Sequence, residues 1–438
     1  MSLASRLPFR HAYAAGFPGL GSQPVPTDAD ALDYLDRMAA ADGTSVEVGV
    51  ATAVDAFFAD AKELGVFSSI RASCLLAGAR TLAGALVPLK NEGPELWDAP
   101  TPTITNAFGS NGTWDANTQT ATSSTTTISN TFPRFKFPVG IVAGKDYRIT
   151  ATLVVTDADA LTYYRLGGDG VAAPPSAVNG VITIDETRTA STGAAVFELD
   201  FDSTIGPASV TIESLSIREV IASPTNVADG FVEGDYSRTS GLTGDGATTY
   251  LDSGRDSADD GQDNHHLAVH QTSPQVGSPK YIAGRGVTNS GTTSLVGVSG
   301  ATNKLYTRSR NSIDNGGASG LSAVGLLGMS RGDSDNYDVR VNGVTTNTVQ
   351  DSQETYAGNI YIFLSNGAGT GFAYDGTLSF YSIGTDIGSA GLADLDTAVS
   401  NLINRLKFAL LVGENPSGLD PDTIDYIVRG YEAGGTLE

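Results

Sequence analysis

Residues 361–406, YIFLSNGAGTGFAYDGTLSFYSIGTDIGSAGLADLDTAVSNLINRL, decide the fold of this 438-residue chain. Apolar residues indicate a first strand at 361–364, which a loop rich in Gly and Asn follows. A second strand opens after Asp375 and Gly376. Past a polar bend, the apolar residues change to helical spacing over residues 391–411. This order predicts a β-sheet covered by a C-terminal helix.

The second strand carries large apolar side chains on both faces. By alternation, Leu378 and Phe380 share one face, while Tyr381 and Ile383 share the other. A strand with one wet face does not carry such groups on both sides, so we expect both faces to be buried. We expect the helix at 391–411 to cover Tyr381 and Ile383 and to leave Phe380 inside the sheet packing.

A hairpin precedes this stretch at residues 337–344, YDVRVNGV. Tyr337, Val339 and Val341 fall on one face, and Asn342 with Gly343 suits the two-residue type I′ turn of right-twisted strands. The order of hairpin, Gly-rich loop, closing strand and helix resembles the C-terminal half of concanavalin-like, laminin-G-type sandwiches. The resemblance covers residues 227–388 and implies a sandwich fold, which hosts lectins, glycosidases and structural modules alike.

Composition limits the classes of function that are open to the chain. Gly contributes 52 residues and charged residues are 17 %, which favours turns and short strands over long helices. The net charge of −23 repels nucleic acid and anionic membranes, so we expect no nucleic-acid partner and no membrane insertion. Cys74 is the only cysteine, which excludes an intramolecular disulfide, and we expect it to be a small core residue.

The termini are predicted to be helical around the β segments. Residues 1–26 are predicted to be a flexible arm, and residues 27–94 a helical base. In that base, Asp28 is predicted to cap a first helix, Glu47 to complete a capping box for a second, and the small residues of 66–89 to pack as helix. Residues 389–438 are predicted to hold two C-terminal helices, the later one starting at Asp420-Pro421.

Residues 95–222 read as a β module. Strands recur at ten- to fifteen-residue intervals between turn residues, which is typical of a sandwich. The opening pattern N-x-F-x-x-x-G-x-W, residues 106–114, and the closing pattern V-x-I-x-x-L-x-I-R-E, residues 210–219, resemble jelly-roll carbohydrate-binding modules. The predicted fold class is therefore mainly β, with two β-sandwiches, one of jelly-roll type at 95–222 and one concanavalin-like at 223–388, and helical N- and C-terminal segments.

Three aromatic residues in the β module are candidates for glycan binding. They are Trp114, Tyr163 and Tyr164. Sugars stack on exposed aromatic rings, and neighbouring residues of a strand point to opposite sides, so we expect one tyrosine in the core and the other outward. Trp114 fits a core position and a binding position equally well.

Two groups of residues are candidates for a metal site. His265, His266 and His270 lie in a segment that reads as a strand, where His266 and His270 are about 13 Å apart, too far for one zinc ion. We therefore expect a polar strand face there. The acidic loop from Asp256 to Asp263 lacks the spacing of a twelve-residue calcium loop, so a solvated loop is the default and calcium the alternative. We expect no metal and no cofactor.

Two further patterns were weighed as functional motifs. Glu198, Asp200 and Asp202 alternate along one strand, as in sandwich glycosidases, which place two carboxyl groups across the scissile bond. The second Glu of that pattern is missing, so we expect no enzyme. Arg331-Gly332-Asp333 is expected to be an ordinary turn and not an adhesion motif.

Two segments carry a resemblance to the virion proteins of tailed bacteriophages. They are LLAGARTLAGALVPL at 75–89 and FVEGDYSRTSGLTGDGATTYLDS at 231–253. In such relatives the two parts follow each other directly, so residues 95–221 resemble an insertion, and the resemblance covers residues 28–90 and 227–406. It implies a non-enzymatic structural protein, made in the host cytoplasm and carried on the virion as a fibre, spike or capsid decoration subunit.

The resemblance also implies partners. We expect other virion proteins, a homotrimer, and cell-surface glycans that the lectin-like sandwiches bind. The alternatives are capsid cement without glycan binding and, as a competing class, a glycan-degrading enzyme.

Overall fold

A computed structural model describes residues 26–97, 100–105, 112–123, 134–156, 161–166, 170–172, 177, 180–190, 196–201, 209–220, 224–226, 230–275, 279–298, 303–313, 317–321 and 324–414. Contacts divide the chain into two compact units. The first, called the discontinuous unit, is formed by Met1–Asn91 together with Ala222–Glu438. The second, called the inserted unit, is Glu92–Ile221.

Strands dominate both units, as the composition predicts. The helices of the described residues are α1 (Ala29–Asp42), α2 (Val48–Glu63), α3 (Leu82–Ala85) and α4 (Gly388–Glu414). The strands up to the end of the inserted unit are β1 (Ile70–Leu75), β2 (Pro88–Glu95), β3 (Thr103–Thr105), β4 (Gly112–Asp115), β5 (Thr120–Ser123), β6 (Arg134–Pro138), β7 (Asp146–Val155), β8 (Leu161–Leu166), β9 (Gly170–Ala172), β10 (Val181–Thr189), β11 (Val196–Phe201) and β12 (Ser209–Val220). The later strands are β13 (Thr225–Asn226), β14 (Tyr236–Ser237), β15 (Gly241–Thr243), β16 (Leu251–Asp256), β17 (His265–Ser273), β18 (Lys280–Arg285), β19 (Thr293–Val298), β20 (Lys304–Ser309), β21 (Ala318–Ser319), β22 (Gly325–Arg331), β23 (Asn336–Val341), β24 (Val344–Val349), β25 (Asn359–Ile362), β26 (Ser365–Asn366) and β27 (Thr377–Gly384).

The discontinuous unit is a β-sandwich. Its first sheet runs β1-β27-β17-β22-β23-β24, and its second sheet runs β13-β16-β25-β18-β19-β20-β21. Their inner faces enclose an apolar core that includes Leu267, Leu295, Tyr337, Ile362 and Tyr381. The predicted hairpin is confirmed: Val341 pairs with Val344 across Asn342 and Gly343, both at positive φ.

The closing strand β27 is buried along its whole length, between β1 and β17. The faces predicted for it were wrong. Tyr381 and Ile383 point into the sandwich core, while Phe380 packs in the helical layer, 6.1 Å from the ring of Phe57 on α2. A pairing irregularity at His270 and Gln271 of β17 shifts the alternation, so Leu378 joins the sandwich core instead of sharing a face with Phe380.

The segment 66–89, predicted as helix, contains the strand β1 and the start of β2. β1 pairs with β27 and with the start of β2, and only the four-residue α3 intervenes. The run of small residues fits a strand buried on both faces, as periodicity alone cannot distinguish the two for short apolar runs. A separate helical base at 27–94 is therefore wrong: α1, α2 and α4 pack as a layer on the first sheet of the discontinuous unit. Cys74 lies on β1, fully buried, and donates to the carbonyl of Ala85 at 3.0 Å.

The helix boundaries follow from their caps, with one exception. Asp28 accepts from the amides of Asp30 and Ala31 at the start of α1, and Gly43 ends α1 at φ 69°, as predicted. The capping box predicted at Glu47 does not form. Its carboxylate instead bonds to the guanidinium groups of Arg80 and Arg238, at 2.8 and 2.9 Å.

The inserted unit is a second β-sandwich. One sheet contains β10-β7-β12 with β5 and β4 beside β12, and β12 also pairs with the end of β2. The other sheet runs β3-β6-β11-β8-β9. Phe135, Phe137, Ile149, Phe197 and Ile217 lie between them in one apolar core.

The mainly β fold class is confirmed, with helices near both ends of the described chain. Among the described residues, no helix is both long and apolar enough to cross a membrane. The predicted arm at 1–26, apart from its last residue, and the predicted helix at Asp420-Pro421 lie outside the described residues.

Candidate functional site

The outer face of the sheet β3-β6-β11-β8-β9 carries two cross-strand rows of polar side chains. Strand register places Asp200 of β11 opposite Arg134 of β6 and opposite Tyr163 of β8. It places Glu198 opposite Lys136 and Arg165 in the same way. Because opposed residues of neighbouring strands share a face, these side chains form one continuous surface, called the charged face below.

Buried carboxylates hold the cations of the charged face in place. Arg165 donates to Asp200 Oδ2 through Nε and Nη2, at 3.0 and 2.9 Å, and Arg134 Nε lies 3.4 Å from the same oxygen. Lys136 Nζ lies 3.4 Å from Glu198 Oε1. Both carboxylates are buried, whereas Arg134 and Lys136 are about one-third exposed. The buried carboxylates therefore hold Arg134 and Lys136 in position, and both cations face solvent.

The electrostatics of the charged face differ from those of the whole chain. Three cations, Arg134, Lys136 and Arg165, surround two carboxylates, so these five residues sum to +1 in a chain of net charge −23. Burial raises the pKa of Asp200, and Arg134 and Arg165 oppose that rise. Glu198 Oε2 and Asp200 Oδ1 have no hydrogen-bond partner among the described residues. The charged face thus presents exposed hydrogen-bond donors above two buried carboxylate oxygens that accept no hydrogen bond from a described residue.

The three aromatic candidates occupy different environments. Tyr163 is 39 % exposed on the charged face. Tyr164 is buried in the core, where its hydroxyl bonds to Glu186. Trp114 packs edge-on against Phe137, with ring centroids 5.0 Å apart, and its buried indole N–H has no hydrogen-bond partner among the described residues. The expectation of one inward and one outward tyrosine is confirmed, and Tyr163 is the most exposed of the three aromatic residues, since Trp114 is partly buried.

The alternating acids of β11 are engaged in ion pairs. Glu198 and Asp200 share the outer face, as alternation predicts, but each is tied to basic side chains of the neighbouring strands. Asp202 lies outside the described residues. Glycosidases place two carboxyl groups across the scissile bond, whereas Glu198 and Asp200 are both held by cations of the neighbouring strands.

A second aromatic surface lies on the discontinuous unit, and the sequence did not indicate it. Tyr250 and Tyr361 stack on the outer face of the second sheet, with ring centroids 4.5 Å apart and an interplanar angle of 24°. Asn359 donates to Asp252 beside them at 3.1 Å. Burial, with Asp252 and Tyr250 nearby, raises the pKa of Tyr361. Tyr361 was predicted only as a strand residue, because the partner strand β16 that brings Tyr250 to it is 111 positions away in sequence.

The acidic loop is held together by its own donors. Asp256 accepts from the amides of Ala258 and Gly358, both at 2.8 Å, and Asp259 accepts from the amide of Asp256. Asp260 forms two hydrogen bonds with Arg255. Over the described ranges, no group of three His, Cys, Asp or Glu side chains is placed to share a metal ion.

The three histidines lie on a strand, as predicted, but their side chains are buried and not on a polar surface. His265 bonds to Ser309 at 3.0 Å, His266 to Ser382 at 2.8 Å and His270 to Ser379 at 2.8 Å. Burial lowers the pKa of each, that of His270 to about 4. They are neutral hydrogen-bonding residues of the core.

Arg331-Gly332-Asp333 is the turn that the sequence predicted. Arg331 is fully buried and stacks over Tyr337, while Asp333 accepts from the amides of Asp335 and Asn336 at 2.9 Å. Because Arg331 is inaccessible, the three residues cannot present an adhesion motif.

Comparisons with known proteins give distant likenesses only. No protein-family model and no curated protein matches the chain. The N-terminal CBM22-1-CBM22-2 tandem domain of Paenibacillus barcinonensis Xyn10C is similar at 10 % identity and a TM-score of 0.23, covering 67 % of this chain and 97 % of that one. Domains LG4-5 of the mouse laminin alpha1 chain are similar at 8 % identity and a TM-score of 0.21, covering 67 % and 93 %. Because the TM-scores are this low, these likenesses do not indicate the function of the chain.

Proposed function

We propose that this protein is a non-enzymatic, lectin-like glycan-binding protein and that the charged face of the inserted unit is its binding surface. The observation that carries the proposal is Tyr163, a half-exposed ring in line with Asp200 and Arg134 across three strands. An exposed aromatic ring stacks on the apolar face of a sugar, and fixed cations donate hydrogen bonds to its oxygens.

The mechanism is passive binding. A sugar ring rests on Tyr163, and Arg134 and Lys136 donate to its hydroxyl, ring or carboxylate oxygens. Glu198 and Asp200 act as positioning residues, since they hold the two cations without reaching solvent themselves. The net positive charge of the face favours acidic glycans over neutral ones. One shallow face binds weakly, so useful affinity requires several copies of the chain.

The wider role that we propose is that of a tailed-phage virion protein, as a fibre, spike or decoration subunit. Its support is the resemblance of residues 75–89 and 231–253 to such proteins. In this role the chain is made in the host cytoplasm, assembles as a homotrimer and binds other virion proteins. Sedimentation of the purified chain tests the assembly, and a stable monomer at micromolar concentration would count against it. Capsid cement without glycan binding is the alternative.

Binding of full-length protein to a panel of neutral and acidic oligosaccharides tests the proposed function. We expect saturable binding with a Kd in the range of about 0.1–1 mM for one site, which Tyr163→Ala weakens at least tenfold. Tyr163→Phe retains the ring and should bind nearly as well as the parent. Tyr164→Phe is the matched control, because it alters the neighbouring buried tyrosine.

Three other results of the binding experiment would each lead to a different conclusion. If Tyr250→Ala abolishes binding and Tyr163→Ala does not, the binding surface is the tyrosine stack of the discontinuous unit. If no oligosaccharide binds, the cement alternative gains support. Release of shorter sugars during incubation would overturn the non-enzymatic assignment.

A further inference from the structure

Three arginines are buried together at one end of the discontinuous unit. Arg255, Arg310 and Arg331 are each at most 1 % exposed. The charges of Arg310 and Arg331 both help to lower the pKa of His265, and those of Arg255 and Arg331 help to lower the pKa of Arg310. Burying a charge is costly unless the group is paired and hydrogen-bonded, so each buried guanidinium needs an ion pair or hydrogen-bond acceptors. This group is called the arginine cluster below.

Two of the three arginines are satisfied by the protein. Arg255 forms a two-bond pair with the buried Asp260, at 3.0 and 2.7 Å. Arg331 donates to the backbone carbonyls of Asp333, Ser334 and Gln350 and stacks over a tyrosine. Their donors therefore have acceptors.

Arg310 is not satisfied in this way. Its Nη2 donates at 3.4 Å to the backbone carbonyl of Asp260, but within the described part of the chain its Nε and Nη1 have no hydrogen-bond partner. It forms no ion pair within 4 Å with a described carboxylate, although Asp260 and Asp256 act on it from farther away. Burial lowers the pKa of Arg310 to about 10, so it remains charged at neutral pH.

Thr293 and Asn311, which are near Arg310 in the strand register and in the chain, carry further polar atoms without a partner among the described residues. Thr293 lies opposite Ser309 in the β19–β20 pairing, so its side chain shares the face of the serine that contacts His265 and Arg331. The Thr293 hydroxyl has no partner among the described residues, and neither does either amide atom of Asn311, which follows Arg310 in the chain. Thr293 and Asn311 are 1 % and 0 % exposed.

We propose that the arginine cluster is an internal binding site for a small monovalent anion of the size of chloride, held by Arg310 with Thr293 and Asn311. An anion here neutralises a buried guanidinium that has neither an ion pair nor a full set of acceptors among the described residues, and it accepts from the donors left unbonded there. The burial of all three residues excludes a bulky ligand, because a large anion could not enter without opening the sandwich. The site is independent of the charged face on the inserted unit.

Thermal unfolding of the full-length protein in chloride and in gluconate at equal ionic strength tests the proposal. Gluconate is too bulky to enter. We expect the melting temperature to rise with chloride, by roughly 2 °C for each tenfold increase above the Kd. Arg310→Met should abolish the chloride response. Arg340→Met is the matched control, because Arg340 is also buried but pairs with Asp396 at 2.7 Å, and it should keep the response.

A second measurement uses the parent protein alone, in case Arg310→Met does not fold. Crystals soaked in bromide should show an anomalous peak within hydrogen-bond distance of the Arg310 guanidinium. Equal melting curves in chloride and gluconate, together with no bromide peak, would overturn the proposal and leave buried water as the partner of these donors. A chloride response that Arg310→Met retains would also overturn it.

Discussion

At the scale of single residues, His270 shows how burial sets the charge of a core side chain. It is 3 % exposed on β17, and its Nδ1 contacts the Ser379 hydroxyl at 2.8 Å. Burial lowers its pKa to about 4; Asp396 partly opposes this and Lys407 adds to it. Since the unfolded chain protonates a histidine near pH 6.5, the folded and unfolded states bind different numbers of protons between pH 6.5 and 4.

The sign of the resulting pH dependence follows from that difference. In this window the unfolded state binds more protons, so the stability that neutral His270 contributes is present above pH 6.5 and is lost as pH falls toward 4. The full loss is about 3 kcal/mol. We predict that His270→Gln, which can still bond to Ser379, flattens the fall of the melting temperature between pH 6.5 and 4.

Comparing His270→Gln with the parent protein separates the contribution of His270 to the pH dependence from that of the carboxylates, which titrate in the same pH range. If both proteins lose stability equally between pH 6.5 and 4, His270 is not held neutral in the folded state. His266, whose pKa is also lowered by burial, supplies a second position at which the same comparison can be made.

At the scale of elements, α4 is the cover of the first sheet. Leu395, Val399, Leu402 and Leu406 on one side of it belong to the same apolar cluster as Phe380. Two ion pairs fix the position of the helix: Asp396 with Arg340 of β23 at 2.7 Å, and Arg405 with Asp60 of α2 at 2.9 Å. The helix therefore completes the burial of the closing strand.

We predict that a chain ending at Ile387 aggregates. Removing α4 uncovers Ala268, Leu326 and Phe380, which form an apolar surface on the first sheet, and such surfaces drive association. A chain ending at Glu414 keeps α4 and is the matched control. Size-exclusion chromatography and dye binding to exposed apolar surface distinguish the two. Equal solubility and equal melting temperature of both chains would show that α4 does not stabilise the sheet.

At the scale of the whole molecule, the inserted unit has the organisation of an insertion. Its entry and exit lie side by side, because Glu92 of β2 pairs with Val220 of β12. As far as the described residues go, its apolar core contains no residue of the discontinuous unit. A segment with its own core and adjacent ends can be removed without stretching the chain that receives it.

We predict that deletion of residues 92–221, joining Asn91 to Ala222 through a short Gly-Ser linker, leaves a soluble protein that unfolds cooperatively. The pairing of β1 with the first residues of β2 is retained in this variant. The isolated segment 92–221 is the complementary variant and should fold as well. Circular dichroism melting curves of both check the prediction. An unfolded or aggregated deletion variant would mean that the two units depend on each other for folding.

The sequence by itself determined the features that depend on local order. Alternating residues and an Asn-Gly turn predicted the β23–β24 hairpin, and Asp28 and Gly43 predicted the ends of α1, because caps and turns use neighbours a few positions apart. Turn residues at regular spacing predicted the mainly β class. Tyr163 and Tyr164 were predicted to point apart because alternation along a strand is local too.

Only the tertiary structure decided the features that depend on distant partners. The small residues of 66–89 are equally compatible with a buried helix and a buried strand, and pairing with β27, some 300 positions away, selects the strand. A pairing irregularity between β17 and β27 places Leu378 and Phe380 on opposite faces of β27. The row from Arg134 through Asp200 to Tyr163 and the unpartnered guanidinium of Arg310 exist because strands remote in sequence are registered side by side, and register is a property of the folded sheet.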